Sequence, residues 1–199
     1  MNEFNDFVWP IAAALGYIIG AIPFGLIFAR LAGYGDLREI GSGNIGATNA
    51  LRTGSRLLGA ATLLADAGKG FVAVLIGVEV AGELGGLSAA AGSFLGHLYP
   101  IWLGFKGGKG IAVLIGVLLA LSPMTGIAFC LVWLLVGAIS RRSSFAAIAA
   151  CLVAPLVPFL LLGEYPVALL AAFCAVLALW AHRGNIRRLR DGSEPSIGH

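Results

Sequence analysis

Three polar stretches break an otherwise apolar chain, and each has residue types suited to gripping phosphate. The first is Gly41-Ser-Gly-Asn-Ile-Gly-Ala-Thr-Asn-Ala-Leu-Arg52. Gly41, Gly43 and Gly46 let successive backbone N–H groups converge on an anion. Ser42, Asn44, Thr48 and Asn49 add neutral donors, and Arg52 adds a forked cation that matches a phosphate. The glycines also fit G-x-G-x-x-G. That fingerprint needs a preceding strand and a βαβ unit, and the chain leaves no room for such a sheet. A flexible polar loop would need turn residues, but not this density of donors.

The second stretch is Gly96-His-Leu-Tyr-Pro-Ile-Trp-Leu-Gly-Phe-Lys-Gly-Gly-Lys-Gly110. Gly107, Gly108 and Gly110 alternate with Lys106 and Lys109 just ahead of an apolar run. A helix starting there offers unpaired N–H groups and the positive end of its dipole to an anion. It is not a Walker loop, because Gly104 and Lys109 have the wrong spacing and Gly110 stands where Ser or Thr is required. The two lysines also fit simple positive-inside anchoring. His97 reads first as a hydrogen-bonded packing residue and second as a supporting site residue. Tyr99 and Trp102 read as interfacial aromatics.

The third stretch is Ala181-His-Arg-Gly-Asn-Ile-Arg-Arg-Leu-Arg-Asp-Gly-Ser-Glu194. On a helix, His182 and Asn185 share a face. Arg187, Arg188 and Arg190 suit anionic headgroups, and Glu194 is a possible supporting group. Asp66 and Lys69, three apart inside an apolar run, mark either a functional site or a self-neutralising pair. Ser143 and Ser144 follow two arginines; helix capping is the first reading, and Ser144 reaching substrate the second.

These residues must be positioned by membrane helices. The chain is 59% hydrophobic and only 12% charged, with a mean hydropathy of +0.93. Soluble domains carry about 25% charged residues. We read an all-α, polytopic bundle forming a single domain over 1–199. Seven spans are expected, at about 7–31, 57–80, 86–103, 110–121, 124–140, 145–162 and 166–182, the fourth being short. Gly16–Gly20 and Gly92–Gly96 have the small-xxx-small spacing of close helix contacts. Cys130, Cys151 and Cys174 lie in apolar runs without metal-ligand spacing. With no basic residue ahead of it, the first run reads as a retained span.

Lys and Arg set the orientation. Twelve of the thirteen fall in the segments 30–56, 99–109, 140–144 and 183–190. Glu3, Asp6, Glu79, Glu83 and Glu164 mark the opposite ends. The N-terminus is therefore expected outside, and the C-terminus and all three motifs in the cytosol. No carboxylate cluster suggests a metal, no cofactor is implied, and no nucleic-acid partner is expected. The absence of H-x-x-x-x-D disfavours an acyl-CoA-type His/Asp acyltransferase.

GSGNIGATNALR, GHLYPIWLGFKGGKGIA and the closing H-x-x-N-I-x-R-L with GSE resemble the three cytosolic motifs of bacterial acyl-phosphate:glycerol-3-phosphate acyltransferases (PlsY type), from about residue 16 to 194. The chain departs from that pattern at Ala181, Gly184 and Arg142. The resemblance implies a multi-pass enzyme of the bacterial inner membrane. It would move a fatty acyl group from acyl phosphate to glycerol 3-phosphate, giving lysophosphatidic acid and inorganic phosphate. An upstream enzyme making acyl phosphate is implied too. On this reading Ser42, Gly43, Asn44, Thr48 and Asn49 hold one phosphate. Arg52, Lys106, Gly107, Gly108 and Lys109 hold the other. His182 and Asn185 orient the attacking hydroxyl, near Ser144. A small-anion transporter and a lipid-phosphate phosphatase are the alternatives.

Overall fold

The computed structural model describes residues 8–197, so the acidic Glu3 and Asp6 lie outside the described residues. No strand occurs among the described residues. Four helical stretches are long and apolar enough to cross a membrane: Trp9–Leu31, Arg56–Leu103, Pro123–Ser140 and Ser143–Leu162. Tyr165–Ala181 makes a fifth when taken with Arg183–Arg190 across a 60° bend. The chain divides into two compact units, one up to Leu121 and one from Ser122 onward.

The first unit contains α1 (Trp9–Gly20), α2 (Phe24–Leu31), the short α3 (Ala47–Ala50), α4 (Arg56–Leu98) and α5 (Ile111–Leu121). Helix α4 is really two arms. Ala81 and Gly82 leave helical geometry, with Gly82 at φ +60°. On either side of them, Gly77 and Gly85 meet so closely that a Cβ on either would overlap the other's carbonyl oxygen. In a straight helix those residues would stand about 12 Å apart. The chain therefore folds back on itself, which separates the expected segments 57–80 and 86–103. Helix α1 lies against the second arm with backbone touching backbone. Gly16 and Gly20 face Ala89 and Ser93, while Gly92 and Gly96 face Ala13 and Tyr17. The small residues singled out by spacing thus face the same contact from both sides. Gly116 of α5 seats against Ala67 of the first arm in the same way.

The second unit contains α6 (Pro123–Ser140), α7 (Ser143–Val153), a π turn at Pro158–Leu162, α8 (Tyr165–Ala181) and α9 (Arg183–Arg190). Proline opens α6 and stands at the start of α8, where its missing N–H has no helical partner to lose. Many large apolar side chains stay exposed, among them Leu131, Leu135, Ile139, Leu161 and Leu169. That is the expected exterior for contact with lipid.

Candidate active site

The first polar stretch folds around one side chain. Asn49 is only 2% exposed. Its amide nitrogen donates to the carbonyls of Leu37 (2.8 Å), Ile40 (3.0 Å) and Asn44 (2.8 Å). Its oxygen accepts from the Ser42 backbone N–H (2.9 Å), the Ser42 hydroxyl (3.2 Å) and Arg52 Nη1 (3.3 Å). Gly41 and Gly43 take positive φ, and a Cβ on Gly41 would overlap Asn49 and Arg52. Glycine is therefore required here to wrap the loop.

This arrangement bears on two expectations. The N–H groups of Ser42, Gly43 and Gly46 already donate, to Asn49 Oδ1, Ile40 O and Asn44 Oδ1. They do not point at a ligand as a phosphate nest would. Asn49 fixes the loop through these bonds. What the loop presents is exposed Ser42 and Thr48, half-buried Asn44 and half-buried Arg52. Nearby, Asp36 accepts from the Arg38 backbone (2.9 Å) and pairs with the Arg38 (2.6 Å) and Arg30 (3.3 Å) side chains. The Arg38 contacts hold its carboxyl well below the usual carboxylate range.

The second stretch is also internally bonded. Gly107 N–H donates to Leu98 O and Gly108 N–H to His97 O, both at 3.0 Å. Those two N–H groups are thus engaged by the protein, contrary to the expectation that they cradle phosphate. Glycine is needed because a Cβ on Gly107 would overlap the His97 carbonyl, and one on Gly108 the His97 ring. The exposed Lys106 and half-buried Lys109 lie at this turn, just before α5. Tyr17 donates to the Tyr99 carbonyl and Trp102 to the Ala21 carbonyl, each at 2.7 Å. These two aromatics are tied into the α1–α2 junction.

Both loops sit on one apolar cluster: Leu26, Ala29, Leu37, Ile45, Ala50 and Leu58, with Ile40 and Leu103 packed on it. Ile40 and Ile45 bracket the turn of the first loop, and Leu103 lies three residues before Lys106. The two cation-bearing loops therefore share one end of the first unit.

The third stretch belongs to the second unit. Helix α8 ends at Ala181, the chain bends at His182, and α9 begins at Arg183. His182 and Asn185 are both buried. His182 Nδ1 stands 2.7 Å from the Ala178 carbonyl. A carbonyl can only accept, so Nδ1 carries the proton and Nε2 the lone pair. Asn185 Nδ2 donates to Glu194 Oε1 (2.6 Å), and Arg188 Nε donates to Glu194 Oε2 (2.7 Å). Burial pushes the Glu194 carboxyl up, but Ser144, Asn185 and Arg188 outweigh it and hold the group below its ordinary value. Ser144 is buried beside this cluster. The helix α7 has no side-chain cap, so capping is not the role of either serine. Glu194, a minor candidate by sequence, is the hub that folds the tail back. Only its position after an Asp-Gly turn hinted at this.

Asp66, Lys69 and His97 come together inside the first unit, with Lys69 Nζ 2.6 Å from Asp66 Oδ1 and 3.0 Å from His97 Nδ1. No group of three or more metal-ligating side chains suited to a metal ion occurs among the described residues.

Known proteins agree with this architecture. The family model described as glycerol-3-phosphate acyltransferase matches residues 10–192. A glycerol-3-phosphate acyltransferase from Agrobacterium fabrum is 54% identical over 188 residues, covering 94% of this chain and 91% of its own. One from Methylorubrum extorquens is 54% identical over 193 residues, covering 96% and 95%. The crystal structure of PlsY, an integral membrane glycerol 3-phosphate acyltransferase, in its glycerol 3-phosphate form superposes with a TM-score of 0.90 at 38% identity, covering 96% of each chain. Its lysophosphatidic acid form gives 0.85 at 37% identity over 94% of each. The chain belongs to the glycerol-3-phosphate acyltransferase family and is a membrane enzyme of the PlsY type.

Proposed function

We propose that the chain transfers a fatty acyl group from acyl phosphate to the primary hydroxyl of glycerol 3-phosphate. The hydroxyl oxygen attacks the acyl carbon, the acyl–phosphate bond breaks, and inorganic phosphate leaves. The product is 1-acyl-glycerol 3-phosphate. Both substrates are phosphates, and the observation that carries the reading is that two cation-bearing glycine loops rest on one apolar cluster. Ser42, Asn44 and Thr48 hold one phosphate; Arg52, Lys106 and Lys109 hold the other. The acyl tail stays in lipid beside the apolar exterior. An acyl phosphate is already activated, so alignment of the two reactants supplies much of the acceleration.

His182, with its lone pair on Nε2, takes the hydroxyl proton as general base. Asn185 orients the same hydroxyl, Glu194 holds Asn185 in place, and Ser144 lies beside them facing the substrate. The whole chain, 1–199, works as one catalytic entity in the bacterial cytoplasmic membrane. It makes seven crossings, with the N-terminus outside and the reaction on the cytosolic side.

One assay tests this. Purified protein receives acyl phosphate with and without glycerol 3-phosphate, and both phosphate and lysophosphatidate are followed. Release that requires the acceptor supports the transferase. Release without acceptor means a phosphatase, and no release returns the reading to a small-anion transporter. His182→Ala should lower turnover roughly 100-fold or more; near-normal turnover would remove the base role.

A further inference from the structure

The proposed reaction does not use the most deeply buried charges of the first unit. Asp66, Lys69 and His97 are 2%, 5% and 4% exposed. Asp66 and Lys69 sit on the first arm of α4 and His97 near the end of the second. They meet only because the helix folds back. The Lys69 ammonium has three polar neighbours: Asp66 Oδ1 at 2.6 Å, the Ile22 carbonyl at 2.7 Å and His97 Nδ1 at 3.0 Å. The Phe24 ring closes another side, 5.8 Å from Nζ to the ring centroid.

Charge balance alone does not require this arrangement. Asp66 and Lys69 neutralise each other without His97, and apolar residues of similar volume commonly replace a buried pair at little cost to stability. The bond to His97 has a chemical consequence. An ammonium has no lone pair, so Nδ1 must accept. The proton of the neutral ring is then on Nε2. That nitrogen lies where a Cβ of Gly108 would stand. The His97 carbonyl meanwhile accepts the Gly108 N–H at 3.0 Å. His97 thus holds the Lys106–Gly110 turn from two directions. Its tautomer is opposite to that of His182, so one imidazole is fixed as a donor and the other as an acceptor.

We propose that Asp66 and Lys69 are positioning residues for acyl transfer: acting through His97, they fix the Nε2–H tautomer and hold the Lys106–Gly110 turn in its phosphate-binding shape. The inference rests on the proposed use of that turn by one substrate phosphate. Because the three groups sit beneath the loop and not in it, their loss is felt by the substrate that loop holds and not by the other.

The test begins without substrate. In detergent-solubilised protein labelled with 15N-histidine, His97 should show a bare Nδ1 and a protonated Nε2. The double variant Asp66→Asn/Lys69→Met removes both charges together and so leaves none unpaired. It should lose the single tautomer of His97. It should also raise the KM of one phosphate substrate roughly 10- to 100-fold and leave the other unchanged. A loss of folded protein would lower apparent turnover and leave both KM values in place, so the split separates positioning from mere stability. A wild-type His97 protonated on Nδ1 overturns the proposal, whether or not the variant folds. So does a folded double variant with both KM values unchanged. Acyl transfer by the wild type, assayed in parallel, fails separately if the proposed donor is wrong, because the tautomer is read with no substrate present.

Discussion

Asn49 makes six polar contacts from one amide: three carbonyls share the two hydrogens of its nitrogen, and three donors meet its oxygen. Asn49→Ala would leave three carbonyls without their side-chain donor and release Arg52 from its anchor. A stability loss of about 2–3 kcal/mol is expected, read by thermal unfolding, with a rise in the KM of one phosphate substrate. Arg52→Lys separates the two effects. It keeps the charge but loses the planar fork, so the KM should rise about tenfold with unfolding unchanged. Glu194 gives the residue scale a pH signature. Its folded value lies below the ordinary one, so the unfolded tail takes up a proton first as pH falls. The stabilisation is full at neutral pH, begins to fall as pH approaches the ordinary Glu value and is gone once pH is below the depressed folded value. The readout is hydrogen exchange at the Ile197 N–H, which donates to the Arg141 carbonyl at 2.7 Å. Protection should be present at pH 7, lost in acid, and weak at both in Glu194→Gln.

At the scale of elements, the helices were legible because apolar runs and their glycine or proline breaks are one-dimensional signals. Helix fills most of each expected segment, including the short one at Ile111–Leu121, while only four or five stretches are long and apolar enough to cross a membrane. Which small residues touch is a three-dimensional fact, and spacing alone did not say that Gly16 and Gly20 meet the arm carrying Gly92 and Gly96. The loops were the least legible. Glycines at 41, 43, 107 and 108 announced sharp turns, but a pattern cannot show whether an N–H faces a ligand or a neighbouring carbonyl. Here most of them face carbonyls, or Asn49 and Asn44. Helix contact makes a sharp prediction. Gly16→Ala puts a methyl into the Ala89 backbone and should cost about 3 kcal/mol, the upper end for overpacking. Gly68 lies in the same fold with nothing within 4 Å of an added Cβ. Gly68→Ala should therefore be neutral or stabilise by up to about 1 kcal/mol. Equal gains at both positions would mean that helix propensity, not backbone contact, sets the response.

For the whole molecule, the proposed topology turns charge into an address. Arg30, Arg38, Arg52 and Arg56 surround the first loop, Lys106 and Lys109 the second, and Arg183, Arg187, Arg188 and Arg190 the tail. Each cation near an anionic inner leaflet contributes about 1 kcal/mol, so placing these segments on the outer side would forfeit several such contributions together. Helix α5 sharpens the point. Its 11 residues cover about 17 Å, little more than half of a hydrocarbon core of roughly 30 Å. On the proposed topology, with its Leu121 end at the outer boundary, Lys106–Gly110 would lie below the inner headgroups. Irregular backbone at that depth persists only inside protein or along a wet cavity. The internal bonding of Gly107 and Gly108 fits that constraint. With Cys130, Cys151 and Cys174 replaced by Ala, Ser42→Cys and Lys106→Cys should react with an impermeant thiol reagent only from the cytosolic side. Glu83→Cys and Glu164→Cys should react only from outside. Labelling of positions 42 and 106 from opposite faces would place the two phosphate loops in different compartments, where no single acyl transfer could use both.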